Sequence, residues 1–380
     1  MVATCPSLVE VIAAIPDFRQ AQGRRHRLVA VLSLACAALL CGSRSYQAMA
    51  EWGRNHGPTV ARALGFTHPK TPCAATLHRI FRQIDPHALE AVVGAWALAV
   101  LAALPPADGE VEALAVDGKR LRGSAKRGTR LCHLLAAVSH RFGLLVRQQA
   151  LATKTQETTA LAALLAGLVL RGLVVTLDAL FTYKHLAQLI RDQEGDYLLV
   201  VKGNQPGVRE AITTLFAEPE AVADTFAHVQ TTELAHGRVE VRALTSSDAL
   251  VGYLDWPDLA QVFRLERQVR DKRRGRTRTE TVYGLTSLSA ERAGPARLLQ
   301  LTRQHWMIEN GVHYVRDVTF AEDASQVRCG AIPQVLALLR TTVIGLIRTT
   351  GATAIAATCR RFAAQPWAAL ALLGISPRIE

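Results

Sequence analysis

The rhythm of hydrophobic and polar positions changes twice along the chain. From Ser7 to about Leu104, apolar stretches of helical length are broken by Gly and Pro: "SLVEVIAAI", "LVAVLSLACAALLCG", "SYQAMAEWGRNH", "TLHRIFRQI" and "ALEAVVGAWALAVLAAL". This pattern predicts a helical unit closed by the breaker "PPADG". The run "LVAVLSLACAALLCG" is apolar on all sides but shorter than the ~20 residues needed to cross a bilayer. It follows directly on "RRHR" and reads as a buried helix.

Beyond the breaker the period shortens. "EALAVDG" predicts a short buried strand ending at Asp117, and "LCHLLAAVS" and "GLLVRQQALAT" predict two strands joined by the turn "HRFG". A helix follows at "TQETTALAALLAGL", with Thr155 and Glu157 near its start. "LVVTLD" is a second buried strand ending at an acid, Asp178; "TYKHLAQLIRDQ" is helical and "DYLLVVKGN" is a further strand. The order is strand, strand, strand, helix, strand, helix, strand.

From about Gln205 to Ala293 the pieces turn β-prone ("TFAHVQTTEL", "RVEVRALTS", "QVFRLERQVR", "TETVYGLTSL"), with the basic run "RDKRRGRTR" among them. Helix returns at "GPARLLQLTRQHWMIENGVHYVRD" and "IPQVLALLRTTVIGLIRTT". The expected organisation is a helical N-terminal domain over 1–106, an α/β domain over 107–204 and 294–350, a β-rich insertion over 205–293 and a helical tail over 351–380.

Composition narrows the chemistry. With 380 residues, 49% of them hydrophobic and 20% charged, the chain can bury a sizeable core. Forty-four Lys and Arg against 32 Asp and Glu leave a formal charge of +12, which favours a polyanionic partner held through phosphate neutralisation. The seven cysteines are scattered and form no C-x-x-C pair, which argues against a zinc site and a disulfide framework and predicts a reduced, cytoplasmic chain. The first residues carry early acids and lack a basic segment, so no cleavable signal and no membrane association are expected.

The acids at the ends of the first and fourth strands carry the chemistry. An antiparallel trio followed by alternating helices and strands is the ribonuclease-H-like order, a mixed sheet flanked by helices, in which strands one and four lie side by side. Asp117 and Asp178 would then face each other across one strand spacing. Two such carboxylates repel, and divalent cations remove the conflict. Their hard oxygen donors suit Mg²⁺ or Mn²⁺, and two metals would clamp the attacking and leaving oxygens of a phosphodiester displacement. An acid at a strand end also serves as a turn or cap residue; two in this strand order favour the metal reading. A third carboxylate is expected at Glu309. At ~100° per residue on one helix, Thr302, His305, Glu309, His313 and Arg316 fall on one stripe, whereas Asp317 lies off it. His133 and His140 read as structural.

These stretches resemble the DDE transposases of bacterial insertion sequences, specifically the ISAs-type, H-repeat-associated family. "LAVDGKRLRGS", "TLDALFTYKHL" and "HWMIENGVHYVRDVTFAEDASQVR" are similar to its three catalytic blocks, "GDYLLVVKGNQP" to its companion block, and "IPDFRQAQGRRHRLVAVLSLACAALLCGSRSYQAMAEWGR" to its helical N-terminal domain. The resemblance implies that Asp117, Asp178 and Glu309 bind two Mg²⁺ or Mn²⁺ ions. It also implies DNA or phosphate contacts from Lys119, Arg122, Lys202, Asn204, His305 and Arg316. Against the superfamily's Tyr-Arg-Glu-Lys pattern this chain reads Thr302, His305, Glu309 and Arg316, with a cation kept at Arg316.

The implied activity is cleavage at element ends followed by joining of the 3′-hydroxyl to target DNA, by a homodimer or larger assembly on nucleoid DNA. Arg24, Arg25, His26 and Arg27, and the run Arg270 to Arg278, are further expected phosphate contacts, with a solvated helix flank and a mobile charged hairpin as their respective alternatives. Two alternatives stand beside this reading: a metal-dependent nuclease of the same fold without strand transfer, and a non-catalytic DNA-binding protein.

Overall fold

A computed structural model describes residues 7–107, 110–125, 131–151, 157–218, 224–235, 237–273 and 275–376. Six helices come first: α1 (Leu8–Ile12), α2 (Leu28–Leu40), α3 (Tyr46–Asn55), α4 (Gly57–Ala63), α5 (Ala74–Gln83) and α6 (Pro86–Ala103). Then follow β1 (Glu112–Leu121), β2 (Cys132–Ser139), β3 (Leu145–Leu151), α7 (Glu157–Ala166), β4 (Leu173–Leu177), α8 (Lys184–Asp192), β5 (Asp196–Val201) and α9 (Pro206–Ala217). Four long strands, β6 (Phe226–Ala235), β7 (Arg238–Ser247), β8 (Gln261–Asp271) and β9 (Thr277–Thr286), precede α10 (Pro295–His305), α11 (Tyr314–Val318), α12 (Ile332–Thr349), α13 (Ile355–Ala364) and α14 (Pro366–Leu372). The chain forms two compact units, one of Met1–Pro105, Gly118–Ala160 and Ile308–Glu380, the other of Pro106–Asp117 and Leu161–Met307.

In the first unit, side chains cap the starts of α1, α3 and α6. Ser7 and Glu10 form a reciprocal capping box on α1. Asp85 accepts from the His87 N–H at the start of α6, with Pro86 just inside. The expected buried helix is α2, in which every residue but Val29 is buried. Such an all-round apolar helix has no solvent face to offer and so takes the centre of its unit. Helix α12 is as apolar and as long as a bilayer span, but 89% of it is buried within the protein, as in a core helix.

Helix α6 approaches the strand β3 at Gly94, where a Cβ would lie 2.2 Å from the Val146 carbonyl. Beside that approach Glu90, buried, accepts from the Gln148 N–H at 2.8 Å, and burial pushes its carboxyl pKa up.

The second unit carries the strand order β1-β4-β5-β9-β8-β7-β6. The pairs β1/β4 and β4/β5 are parallel, and those from β5 through β9, β8, β7 and β6 are antiparallel. The expected β-rich segment opens with a helix, α9, and its four strands do not stand apart. Through β9, whose Leu285 and Thr286 pair with Leu199 and Leu198 of β5, they extend the sheet itself. One apolar cluster, including Val174, Leu198, Phe263, Leu265 and Leu298, fastens β4, β5, β8 and α10 together.

Two expectations about the acids' elements need correction. β1 does not end at Asp117: it continues to Leu121, which packs with Leu134 and Ala337 in the first unit. The predicted helix over 294–317 is not continuous either. α10 stops at His305, Trp306 forms a turn, and Ile308–His313 is a π-helix before α11 resumes. A π-helix adds a residue to the turn, so the 100° spacing does not carry across Glu309, and the five-residue stripe is not one face of one helix. Thr155 of the α7 segment lies outside the described residues.

Candidate functional site

Val116 of β1 stands opposite Leu177 of β4. The residues that follow this last pair are Asp117, still on β1, and Asp178, the first residue past the end of β4; the two parallel backbones run roughly 4.8 Å apart. Asp117 is half-buried. At Asp178 the chain leaves the sheet: its backbone is extended, it precedes the 3₁₀ turn Ala179–Phe181, and its carbonyl accepts from the Phe181 N–H at 2.9 Å. Its side chain stays 46% exposed, open to a solvent-borne ligand.

The segment after β5 braces this loop. The Asn204 amide donates to the carbonyl of Ala179 at 2.6 Å and of Thr182 at 3.4 Å, the Gln205 amide donates to Thr182 at 2.9 Å, and the Thr182 hydroxyl donates to the Val200 carbonyl at 2.6 Å. Asn204 thus holds the loop that presents Asp178. Lys202, 60% exposed, places its ammonium 3.4 Å from Asp178 Oδ1. An exposed pair of that length contributes at most about 1 kcal/mol, so the cation is free to turn to another anion.

His305 closes the other side. Its Nδ1 lies 2.9 Å from the Thr176 hydroxyl, one strand position before Leu177. Burial drives its pKa down to about 4, against the opposing pull of the Asp178 charge. The imidazole is neutral at pH 7, so His305 supplies a hydrogen-bonding group beside Asp178 rather than a cation. Thr302 is buried and donates to the Leu298 carbonyl at 2.8 Å, an intrahelical bond.

In the first unit, Glu309 lies exposed on the π-helix between buried Ile308 and Val312. Arg348 of α12 donates to the Gly311 carbonyl at 2.6 Å, satisfying one of the groups the wide turn frees. Arg316 does not face phosphate. It is 1% exposed, and its guanidinium grips Glu322 at 2.6 and 2.8 Å. The other Glu322 oxygen takes Arg340 at 3.0 Å. Burial pushes the Glu322 pKa up, but Arg316 and Arg340 together outweigh it and hold the carboxyl below its ordinary value.

Lys119 is likewise turned inward, buried and 2.6 Å from Asp317 Oδ2. Arg122 is exposed, 3.6 Å from Asp323. His133 and His140 are buried, as a structural role requires. Glu322 and Arg340 are not among the expected site residues, and Arg316 meets a carboxylate where a phosphate was expected. The signal for this group was Arg340, a lone charge within the apolar "IPQVLALLRTTVIGL", which can be buried only against an opposite charge.

The run Arg270 to Arg278 forms the tip of the β8/β9 hairpin, where Arg270, Lys272, Arg273, Arg276 and Arg278 are exposed and Gly275 takes φ +65°; Arg274 lies outside the described residues. Among the described residues, no three His, Cys, Asp or Glu side chains gather in metal-ligating geometry. Asp117 and Asp178 nevertheless offer hard oxygen donors from adjacent strands, a set that fits Mg²⁺ or Mn²⁺ and leaves coordination positions open.

Comparison with known proteins gives two family matches. Residues 109–346 match the family described as "Transposase DDE domain", and residues 9–97 match "DDE_Tnp_1-associated". The chain is 29% identical over 350 residues to the protein named "Putative transposase YncI" of Escherichia coli O157:H7, covering 90% of this chain and 87% of that one. It is 27% identical over 350 residues to the "H repeat-associated putative transposase YhhI" of Escherichia coli K12, covering 90% of each. It is 34% identical over 270 residues to an "Uncharacterized protein in dhlA 3'region" of Xanthobacter autotrophicus, covering 70% of this chain and 89% of that one.

Proposed function

The chain belongs to the DDE transposase family, and on that premise we propose that it cuts DNA at the ends of a bacterial insertion sequence and joins the freed strand to target DNA. The observation that carries this reading is the parallel β1/β4 register, whose last pair, Val116 and Leu177, immediately precedes Asp117 and Asp178. We read the order β1-β4-β5, with β2 and β3 lying between β1 and β4 in sequence, as ribonuclease-H-like. Asp117, Asp178 and Glu309 are the three carboxylates that would hold two Mg²⁺ or Mn²⁺ ions. When bound, the metals supply Lewis-acid activation of the attacking oxygen and neutralise charge on the phosphate.

The chain's own groups prepare the site. Asn204 and Gln205 fix the loop at Asp178. Lys202 lends a mobile positive charge to an incoming phosphate. Neutral His305 keeps a hydrogen-bonding edge beside Asp178 without competing for it as a cation. The reaction has two in-line displacements. Water attacks the phosphorus at the element end, the P–O3′ bond breaks, and the strand is left with a 3′-hydroxyl and a 5′-phosphate. That 3′-oxygen then attacks a target phosphorus, displacing a target 3′-oxygen that takes up the proton. Because two DNA ends must be brought together, we place the active species as a homodimer or larger on DNA, at the nucleoid in the cytoplasm.

The test is incubation of the purified chain with DNA carrying the ends of its own element and Mn²⁺. Cleavage with joining is expected. Cleavage alone marks a nuclease, and binding alone a non-catalytic DNA-binding protein. Asp178→Asn and Glu309→Gln should each abolish cleavage while leaving DNA binding intact; undiminished cleavage in either removes that residue from the site.

A further inference from the structure

The segment that leads into α2 and the segment that leads into α5 enclose a cleft of about 930 Å³ in the first unit. Its lining includes Arg19, Arg25, Lys70 and Arg79 and, among the described residues, no carboxylate. These cations are not equivalent. Arg19 is neutralised by a two-pronged pair with Asp17 at 2.7 and 2.8 Å. Arg24, foremost in the basic run of the sequence, donates at 3.0 Å to the Asp17 carbonyl and bonds the Arg19 carbonyl, so it staples the loop. His26 is buried, and burial, with the charge of Arg25, lowers its pKa, so it is neutral at pH 7.

Arg25, Lys70 and Arg79 remain. All three are exposed, and none makes an ion pair or side-chain hydrogen bond among the described residues. They come from two segments far apart in sequence, Arg25 from one and Lys70 and Arg79 from the other, and meet in one concavity, where like charges repel and the arrangement costs stability unless an anion is shared. Helix α5 begins in the same wall, at Cys73 and Thr76, so the positive end of its dipole adds to the field. A cleft of this size has room for more than one backbone phosphate.

We propose that this cleft seats the phosphodiester backbone of DNA, with Arg25, Lys70 and Arg79 as its phosphate ligands, as a DNA contact that does not use the metal-binding carboxylates. The identity of the anion rests on the transposase reading; the uncompensated cations do not. The cleft also contains its own reporter. Cys73 is a free, exposed thiol, 3.4 Å from the Thr76 hydroxyl, and that hydrogen bond lowers its pKa.

The experiment measures binding of the full-length chain to duplex DNA by fluorescence anisotropy across a salt series, without divalent metal. Each phosphate contact contributes about 0.9 to the slope of log K against log[salt]. Arg25→Ala/Lys70→Ala/Arg79→Ala should therefore lower the slope by about 2.7. A variant with equal charge loss, Arg54→Ala/Arg360→Ala/Arg361→Ala, should change it far less. In parallel, duplex DNA should slow alkylation of Cys73 several-fold, read by peptide mass spectrometry, while leaving Cys329 unaffected.

Equal slopes for the two triple variants overturn the proposal, as does Cys73 alkylation that DNA leaves unchanged or that only inorganic phosphate slows. The outcomes separate from those of the proposed activity. A wild-type chain that cleaves and joins, with an unprotected Cys73, sinks the cleft and leaves the transposase. A chain that never cleaves, with a protected Cys73, does the reverse.

Discussion

Replacing Glu322 by Gln tests whether the buried ionic cluster holds the segment after the π-helix. Glu322 is 3% exposed, Arg316 1% and Arg340 2%. Each carboxylate oxygen serves a different guanidinium, at 2.6 Å from Arg316 and 3.0 Å from Arg340. Gln keeps the shape but removes the only carboxylate paired with either guanidinium among the described residues, leaving two buried cations side by side. Breaking a buried pair by removing one partner costs about 3–5 kcal/mol. At ~2–4 °C per kcal/mol for a unit of this size, Tm should fall on the order of 10 °C, read by calorimetry or differential scanning fluorimetry.

The pH dependence gives a second handle on the same cluster. The folded pKa of Glu322 lies below its unfolded value, so its contribution is present above the unfolded pKa and is lost as pH falls through the folded one. The wild type should lose stability below about pH 4.5, and the variant should lack that part of the loss. Converting all three residues to apolar ones of similar volume should cost less than Glu322→Gln alone, because no uncompensated charge remains. A Tm for Glu322→Gln within about 2 °C of wild type would refute the argument, since that is under 1 kcal/mol on the same scale.

Other outcomes follow from single positions. His305 has its pKa depressed from 6.5 to about 4, so its contribution is full above pH 6.5 and declines toward pH 4. Urea unfolding across that range should show up to ~3 kcal/mol of pH-dependent loss, and His305→Asn should flatten it. Gly94→Ala pushes a methyl into the Val146 carbonyl and should cost about 1–3 kcal/mol by overpacking, visible as a lowered urea midpoint. Lys119→Ala should leave the salt slope of DNA binding unchanged, because its ammonium is spent on Asp317. It should destabilise the chain by about 1–3 kcal/mol through the charge it strands; a slope lowered by about 0.9 would instead return Lys119 to the phosphate contacts.

Local chemistry alone determined much of this protein. Periodicity separated the helical stretch ending near Leu104 from the strands after it, since burial of one face imposes a period that no neighbour can change. It also placed Asp178 at a strand end, because the apolar run "LVVTL" stops there. Tertiary structure decided the rest. Only the pairing of β1 with β4 shows that the residues just before Asp117 and Asp178 stand opposite each other, because register depends on two segments at once.

β1 outruns Asp117 because residues beyond it still find partners, and the helix through Glu309 widens into a π-turn where Arg348 can satisfy Gly311. The largest revisions concern charge. Lys119, Arg316 and Arg24 all read as phosphate-facing cations in the sequence. Each is occupied by an acceptor of the protein itself: Asp317, Glu322 and the backbone of the Asp17 loop. Composition counts charges without saying which are already paired, and a guanidinium's partner, often far away in sequence, is set only when the chain has folded.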